Sequence, residues 1–437
     1  MSNEQLAMSN EQIAISNEPQ TRQMKDSGVE WIGEIPAQWD VSTINSLYTL
    51  RNQKVSDRDY TPLSVTMKGI VPQLETAAKT DAHDDRKLVK KGDFAINSRS
   101  DRRGSCGISN YDGSVSLINT VLTPRGEMHP VYYNWLFHSA RFADEFYRWG
   151  HGIVDDLWTT RWQEMRNITI PVPEYAVQQI IADHLDRKCT QIDTLIANQQ
   201  QQIEKLKAYK QSVITETVTK GLDPDVAMKD SGVEWIGEIP EHWEVVRIKN
   251  ICSFNPSSRK TYSDSDIVSY APMECVRTGQ LLHKEIQIKN ISSGLTYFEE
   301  NDIIMAKVTP CFENGNIAIA TELTNGIAFG SSELFVFRAR SEIRHFLFYF
   351  LQNDVFKNYA AATMTGTGGL KRVSPGFVNN FHLALPSKDE RNQIVEYLNE
   401  KCGQIDRLIA IKQQKIERIQ QYKKSVIYEY VTGKREV

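Results

Sequence analysis

The chain has 437 residues, of which 40% are hydrophobic and 24% charged, and its formal net charge is -4. That length exceeds one ordinary core and the balance is globular, which excludes disordered and fibrous chains and points to two or three domains. No apolar run reaches the roughly 18 to 20 residues of a membrane helix and no basic-then-apolar secretory pattern opens the chain, so no membrane partner and a cytoplasmic location are expected.

In chain order, residues 1–23 carry SNEQLAM, SNEQIAI and SNEPQ in succession, a polar heptad repeat without a core-forming stripe. We read it as a flexible tail. The phrase MKDSGVEWIGEIPAQW then runs from Met24 to Trp39, and recurs as MKDSGVEWIGEIPEHW from Met228 to Trp243, 204 positions later. Only Ala37/Glu241 and Gln38/His242 differ. Repeats of that fidelity define the architecture before any other feature does.

Between the phrase and Val172 lies a mixed insert. Asp93 to Ser98 and Ser114 to Leu122 are short, β-rich and bounded by turn residues, while Pro130 to Trp149 has aromatic and apolar residues at helical spacing. From Pro173 a long helix is expected. Leu185, Cys189, Ile192, Ile196, Gln199, Ile203, Leu206, Lys210 and Val213 step by fours and threes, the seam of a coiled coil. At 1.5 Å per residue, some 45 residues make a rod of about 70 Å.

The second copy follows the same plan. Ile303 to Val308, Ile317 to Thr321 and Leu334 to Arg338 predict strands, and Ser341 to Ala362 predicts helix. Beginning at Pro386, 213 positions after Pro173, the seam recurs as Leu398, Cys402, Ile405, Ile409, Lys412, Ile416, Ile419, Lys423 and Val426. The inserts agree far less than their borders, although GHGIVDDLWTTRWQEMRNITIPVP from Gly150 matches TGTGGLKRVSPGFVNNFHLALP from Thr365 in its glycine loop, basic residue and apolar-proline end. The expected fold class is α+β: two tandem α+β domains and two long helices in an antiparallel intramolecular coiled coil, related by a pseudo-two-fold. Parallel pairing is sterically open too, and a homodimerising coiled coil is the alternative role for the seam.

Enzymatic signatures are missing. Gly366 to Arg372, GTGGLKR, lacks the Ser or Thr that follows lysine in a phosphate loop, and Asn255-Pro256-Ser257-Ser258 lacks the second proline and the aromatic residue of an amino-methyltransferase tetrapeptide. No G-x-S-x-G elbow or H-E-x-x-H pair occurs. The six cysteines form no C-x-x-C pair, so neither a zinc site nor a disulfide framework is expected, and catalytic and metal residues are expected to be none.

The SGVEWIGEIPxxW phrase, two unlike inserts, and proline-led helices carrying Gln191-Ile192-Asp193 and Gln404-Ile405-Asp406 resemble the specificity subunits of type I restriction-modification systems. The likeness covers nearly the whole chain. It implies target-recognition domains over 24–172 and 221–385, each reading half of a bipartite site in double-stranded DNA, and spacer helices over 173–220 and 386–433. It also implies two methyltransferase subunits docked on the helices, restriction/translocase subunits recruited through them, and S-adenosylmethionine, ATP and magnesium held by those partners, with no cofactor in this chain. Leu185, Ile192, Ile196, Ile203, Leu206, Leu398, Ile405, Ile409, Ile416 and Ile419 would form the helix seam or docking face. The N-terminal heptad tail is a departure that the pattern does not require. If the helices act as a ruler, inserting turns between Leu185 and Val213 should change the spacer and leave the half-sites intact, as methylome mapping would record.

The net charge gives a DNA reading no support, yet Arg86, Lys87, Lys90, Lys91, Arg99, Arg102 and Arg103 face only Asp93 and Asp101 in their stretch. Such a local patch suits phosphates. Arg99, Arg102 and Arg103 in NSRSDRRGS offer forked donors for guanine edges or phosphates, and His151 sits in the glycine loop. In the second insert Thr365, Thr367, Lys371 and Arg372 lie on a Gly-rich turn that lets backbone amides approach phosphate. Lys307 and Thr309 follow a strand at positions loosely aligned with Asn97 and Arg99. Solvated loops, and for Lys307 a half-buried lysine paired within the fold, would produce the same patterns. Trp31 and Trp235 are expected to pack each phrase against the helical rod or a partner subunit, not to stack on bases.

Overall fold

A computed structural model of the chain describes residues 22–73, 83–99, 102–152, 158–258, 261–367 and 369–437. Apart from its last two residues, the tail expected over 1–23 lies outside them. In the first head the elements used below are β1 (Tyr48–Leu50), β2 (Phe94–Asn97), β3 (Cys106–Ile108), β4 (Asn119–Pro124), α1 (Pro130–His138) and α2 (Ala140–Arg148). Helix α3 (Tyr175–Lys220) follows. The second head contributes β5 (Cys252–Phe254), β6 (Ile303–Ala306), β7 (Ile317–Ile319), β8 (Leu334–Ala339), α4 (Ser341–Phe350) and α5 (Asp354–Ala362), and α6 (Lys388–Val431) ends the chain. The chain divides into two compact units, one running through Asn198 together with Lys415–Val437, the other Gln199–Gln414. Each unit therefore holds one head, the beginning of the helix that follows that head, and the end of the other helix.

In the first unit an antiparallel sheet of order β3-β2-β4-β1 forms the floor of the head. Successive strand side chains point to opposite faces. Phe94 and Ile96 accordingly join the aromatic layer of α1 and α2, with Tyr133, Phe137 and Phe142, while Ala95 and Val121 pack on the other side with Leu63, Ile70, Val89 and Val115. Such two-sided burial explains why β2 reads as an unbroken apolar run. The helical pattern expected over Pro130 to Trp149 breaks at Ser139, whose hydroxyl accepts the Phe142 N–H at 3.3 Å and caps α2. The Tyr132 hydroxyl donates to the Val431 carbonyl at 2.8 Å, fastening the end of α6 to this head.

The second unit repeats the plan by itself. Its sheet has the order β7-β6-β8-β5, the same arrangement as in the first head. Ile303, Met305, Phe335 and Phe337 face the helices, and Ile304, Leu334 and Val336 face the opposite cluster. The helical stretch breaks at Asn353, which accepts the Phe356 N–H at 2.8 Å. Beyond this floor the heads diverge. The first head adds a three-stranded antiparallel sheet around Arg86–Val89, and the second a four-stranded sheet in which Ile267–Ala271 pairs in parallel with Ile327–Gly330.

Each duplicated phrase forms a small hairpin, Met24–Asp26 against Glu34–Pro36 and Met228–Asp230 against Glu238–Pro240. Its connection needs left-handed backbone at Gly28 and Gly33, and again at Gly232 and Gly237, so those glycines are repeated with the turn. The tryptophan rings pack on aromatic residues of their own heads rather than on those of the long helices. Trp31 is buried edge-on to Phe142, with its indole N–H donated to the Thr169 carbonyl, and Trp235 stacks on Phe381.

The helices run antiparallel within each unit. In the first, His184 of α3 faces Tyr430 of α6, and about two turns along, Lys423 Nζ donates to both oxygens of Asp193 at 2.7 Å. In the second, Lys412 meets Gln202 and Lys210 Nζ meets both oxygens of Asp406 at 2.8 and 2.7 Å. This clasp gives a reason for the direction. Parallel pairing in register would set the aspartate of each Gln-Ile-Asp opposite its own copy, whereas reversal sets it opposite a seam lysine. Leu185, Ile192, Ile203, Leu398, Ile405 and Ile416 are buried, and Ile196, Leu206, Ile409 and Ile419 half-buried. The stripe therefore supplies the stability and the clasp the register. Because both clasp aspartates are more than half exposed, Lys423→Ala should cost under about 1 kcal/mol in denaturant unfolding.

Candidate nucleic-acid interface

In the first head three chain segments cross at Thr159. Thr159 forms antiparallel bridges with both Arg99 and His151, and the Thr160 N–H donates to the Ser98 carbonyl at 3.0 Å. Arg99, Arg102 and His151 are exposed around this crossing. The turn through Arg102 is closed by Arg102 N–H to Arg99 O at 3.3 Å and Ser105 N–H to Arg102 O at 2.9 Å. Arg103 is turned back toward the helices: it donates to Asp144, and its guanidinium lies 4.7 Å from the Tyr147 ring centroid. Tyr147 stacks on Trp158 at 5.6 Å. Gly150 is needed here, since a Cβ would lie 2.5 Å from the Trp158 indole nitrogen. The crevice beneath, lined by Arg99, Arg103, Tyr147 and Trp158, encloses only about 10 Å³, room for a water and not for an extruded base.

The second head builds the same crossing at Arg372. This residue bridges Val308 and Thr365, and the Val373 N–H donates to the Lys307 carbonyl at 2.9 Å. Matching the bridges makes Ser98 equivalent to Lys307 and Arg99 to Val308, so the sequence alignment of Lys307 with Asn97 and Thr309 with Arg99 is shifted by one residue. Thr309 Oγ1 accepts the Lys371 N–H at 3.0 Å and donates to the Gly369 carbonyl at 2.7 Å, so it shapes the turn. Lys307 is half-buried with its ammonium 5.7 Å from the Phe335 ring centroid. Thr365, Thr367 and Lys371 are exposed, and no carboxylate lies within 4 Å of the Lys371 ammonium among the described residues.

Two electrostatic expectations change. Arg86 is buried, with Nε donated to Ser114 Oγ and Nη2 to the Ser114 carbonyl, and Lys87 is half-buried with Nζ on the Asn119 carbonyl at 2.6 Å. Burial lowers the pKa of both groups. They hold strands together, so the cationic patch counted from the sequence shrinks to Lys90, Lys91 and the crossing. Nothing in local spacing distinguished them from surface cations. The second change is Glu333, which sequence reasoning missed. Its carboxylate takes Arg372 Nε at 2.8 Å and Nη2 at 2.9 Å, and those bonds, with Lys307 nearby, hold its pKa below the usual carboxylate range.

The crossing is thus one backbone device carrying different side chains in two heads. Residues 240–421 match the family model described as the type I restriction modification DNA specificity domain. The chain is similar to the type I specificity subunits over that stretch. Over 164 residues it is 35% identical to the type I restriction enzyme EcoEI specificity subunit of Escherichia coli, a match covering 36% of this chain and 27% of that protein. The chain thus spans under a third of that relative's length. Over 313 residues it is 28% identical to the MjaVIII specificity subunit of Methanocaldococcus jannaschii, covering 69% of each. The fold is shared with a chain solved in work on complex assembly and conformational transition of the type I R-M system, at a TM-score of 0.67 and 12% identity over 91% of this chain and 98% of that one. No helix among the described residues is long and apolar enough to cross a membrane.

Proposed function

We propose that this chain selects the DNA sequence acted on by a type I restriction-modification complex, with one head on each half of a bipartite site in double-stranded DNA. The observation that carries the reading is the repeated crossing at Thr159 and Arg372, where an identical backbone plan presents unlike exposed residues. A common scaffold with varied side chains is what two half-sites of different sequence require, since phosphate contacts position a protein and base-edge contacts specify the site. Adenine methylation and cleavage belong to partner subunits that hold S-adenosylmethionine, ATP and magnesium, while this chain supplies selection. A net charge of -4 fits a reader that shares phosphate binding with its partners better than a free-standing DNA binder.

The helices offer a duplicated outer face for two copies of one methyltransferase subunit. Leu195 and Tyr422 are about half exposed in the first unit, and their repeats, Leu408 and Tyr209, are equally so in the second. Exposed leucine and tyrosine on a helix that already buries its seam suit an interface core. The double variant Leu195→Asp, Leu408→Asp should weaken methyltransferase binding at least about tenfold while leaving unfolding within about 0.5 kcal/mol of the parent. Isothermal titration together with denaturant unfolding checks both halves of that statement. Co-expression of the chain with an adenine methyltransferase partner, followed by single-molecule sequencing of host DNA, tests the function: a methylated bipartite motif that vanishes without this chain is expected, and its absence overturns the reading.

A further inference from the structure

Arg372 is held at both its main chain and its side chain. Its main chain is fixed from both sides, by the bridges to Val308 and Thr365, and its guanidinium is engaged by Glu333 along the Nε–Nη2 edge. Glu333 is itself fixed, because its carbonyl accepts the Lys307 N–H at 3.0 Å and its own N–H donates to Ser331 Oγ at 3.2 Å. A guanidinium has five N–H groups in a rigid planar fork. Glu333 takes Nε–H and one Nη2–H. The end of the fork, two hydrogens on Nη1 and one on Nη2, has no other partner among the described residues, and the Arg372 side chain is 46% exposed.

That remaining end is a pair of parallel donors, and in the major groove only guanine sets two acceptors, O6 and N7, side by side to receive them. Adenine and cytosine each place a donor at that edge, and thymine a methyl group. We propose that Arg372 reads a guanine in the half-site bound by the second head, and that Glu333 is the positioning residue that aims it. This rests on the DNA-reading role proposed above. Holding the side chain before DNA arrives removes rotamer freedom that binding would otherwise have to remove, so the carboxylate sharpens the choice of base as well as aiming the donor. The first head has Thr159 at the same backbone position, which lacks a two-pronged donor. The two heads therefore diverge in specificity at that point of the scaffold. Arg103 does not replace it, being held by Asp144 and lying over Tyr147.

The test uses the full chain in complex with its methyltransferase partner. Methylome sequencing of a host carrying the parent, Arg372→Ala, Arg372→Lys or Glu333→Gln should reveal a guanine in one half-site that becomes degenerate in all three variants, while the other half-site stays unchanged. Arg372→Lys keeps the charge and loses the fork, so it decides the matter if Arg372→Ala supports no methylation at all. In binding assays, 7-deazaguanine at that position removes the N7 acceptor. It should weaken the parent complex about tenfold or more and the Arg372→Lys complex less than about twofold. Glu333→Gln should lose several-fold of the guanine preference and keep its binding to the unchanged half-site, a split that a merely structural glutamate would not give. The inference is overturned if the parent tolerates 7-deazaguanine at every guanine of both half-sites, or if the variants lose affinity evenly without relaxing any position. Should the parent itself give no sequence-selective methylation, the DNA-reading role falls first and this assignment with it.

Discussion

Phe137→Ala should lower the stability of the first head by about 4 kcal/mol, read as a shift of its denaturant midpoint. The ring is buried, with its centroid 4.2 Å from Phe94, 4.8 Å from Phe142 and 5.9 Å from Tyr48. Phe94 is fixed by the strand ladder, and Phe142 by the Ser139 cap at the start of α2. Neighbours so constrained cannot collapse into the vacated space, so cavity and transfer terms add. The adjacent Tyr133 supplies the control. Its hydroxyl is buried without a hydrogen-bond partner among the described residues, and burial pushes its pKa up. Tyr133→Phe should therefore be neutral or stabilise by up to about 1 kcal/mol, although it sits beside Phe137 in the same layer.

These two neighbours illustrate what the sequence could and could not say. The short β-rich run around Phe94 to Ile96, bounded by turn residues, and the four-three stepping from Leu185 to Val213 are local patterns, so the strands and long helices were legible in the sequence. The direction of the helices was half-legible: both aspartates and both lysines of the clasp lay in the aligned repeats, but only their reversed pairing exposed the reason. Arg86 and Lys87 read as surface cations because their acceptors, at Ser114 and Asn119, lie about 30 residues away on other strands. Glu333 was invisible for the same cause, since it and Arg372 are 39 residues apart and meet only once β8 and the glycine turn are placed. The one-residue slip between Lys307 and Ser98 shows how weakly two diverged inserts fix their register when only strand bridges can set it.

Asp93→Ala should cost about 3 kcal/mol, because a carboxylate 2% exposed gathers four donors in the first head. Arg51 Nε reaches it at 2.6 Å and Nη2 at 3.1 Å, the Lys90 N–H at 2.8 Å and Thr123 Oγ1 at 3.0 Å. The loss is kept to the low end of the range for a broken buried pair because Arg51, 20% exposed, can still reach water. The second head preserves this aspartate as Asp302 but takes its arginine from a different strand. Arg338, opposite Asp302 on β8, stands where the first head has Thr123, and Asn255 stands where it has Arg51. Asn255 has a φ of +47°, a conformation asparagine adopts more readily than arginine, and its side chain accepts the Val336 N–H at 2.9 Å. With asparagine at that position, the charge partner comes from across the ladder. Asp302→Ala should then cost a similar amount, lessened because Arg338 keeps Glu299 at 3.1 Å. Because Asp93 and Asp302 lie in separate compact units, each loss should appear in the unfolding of its own head. Equal destabilisation of both heads by either change would show that the two buried aspartates do not act through the contacts described.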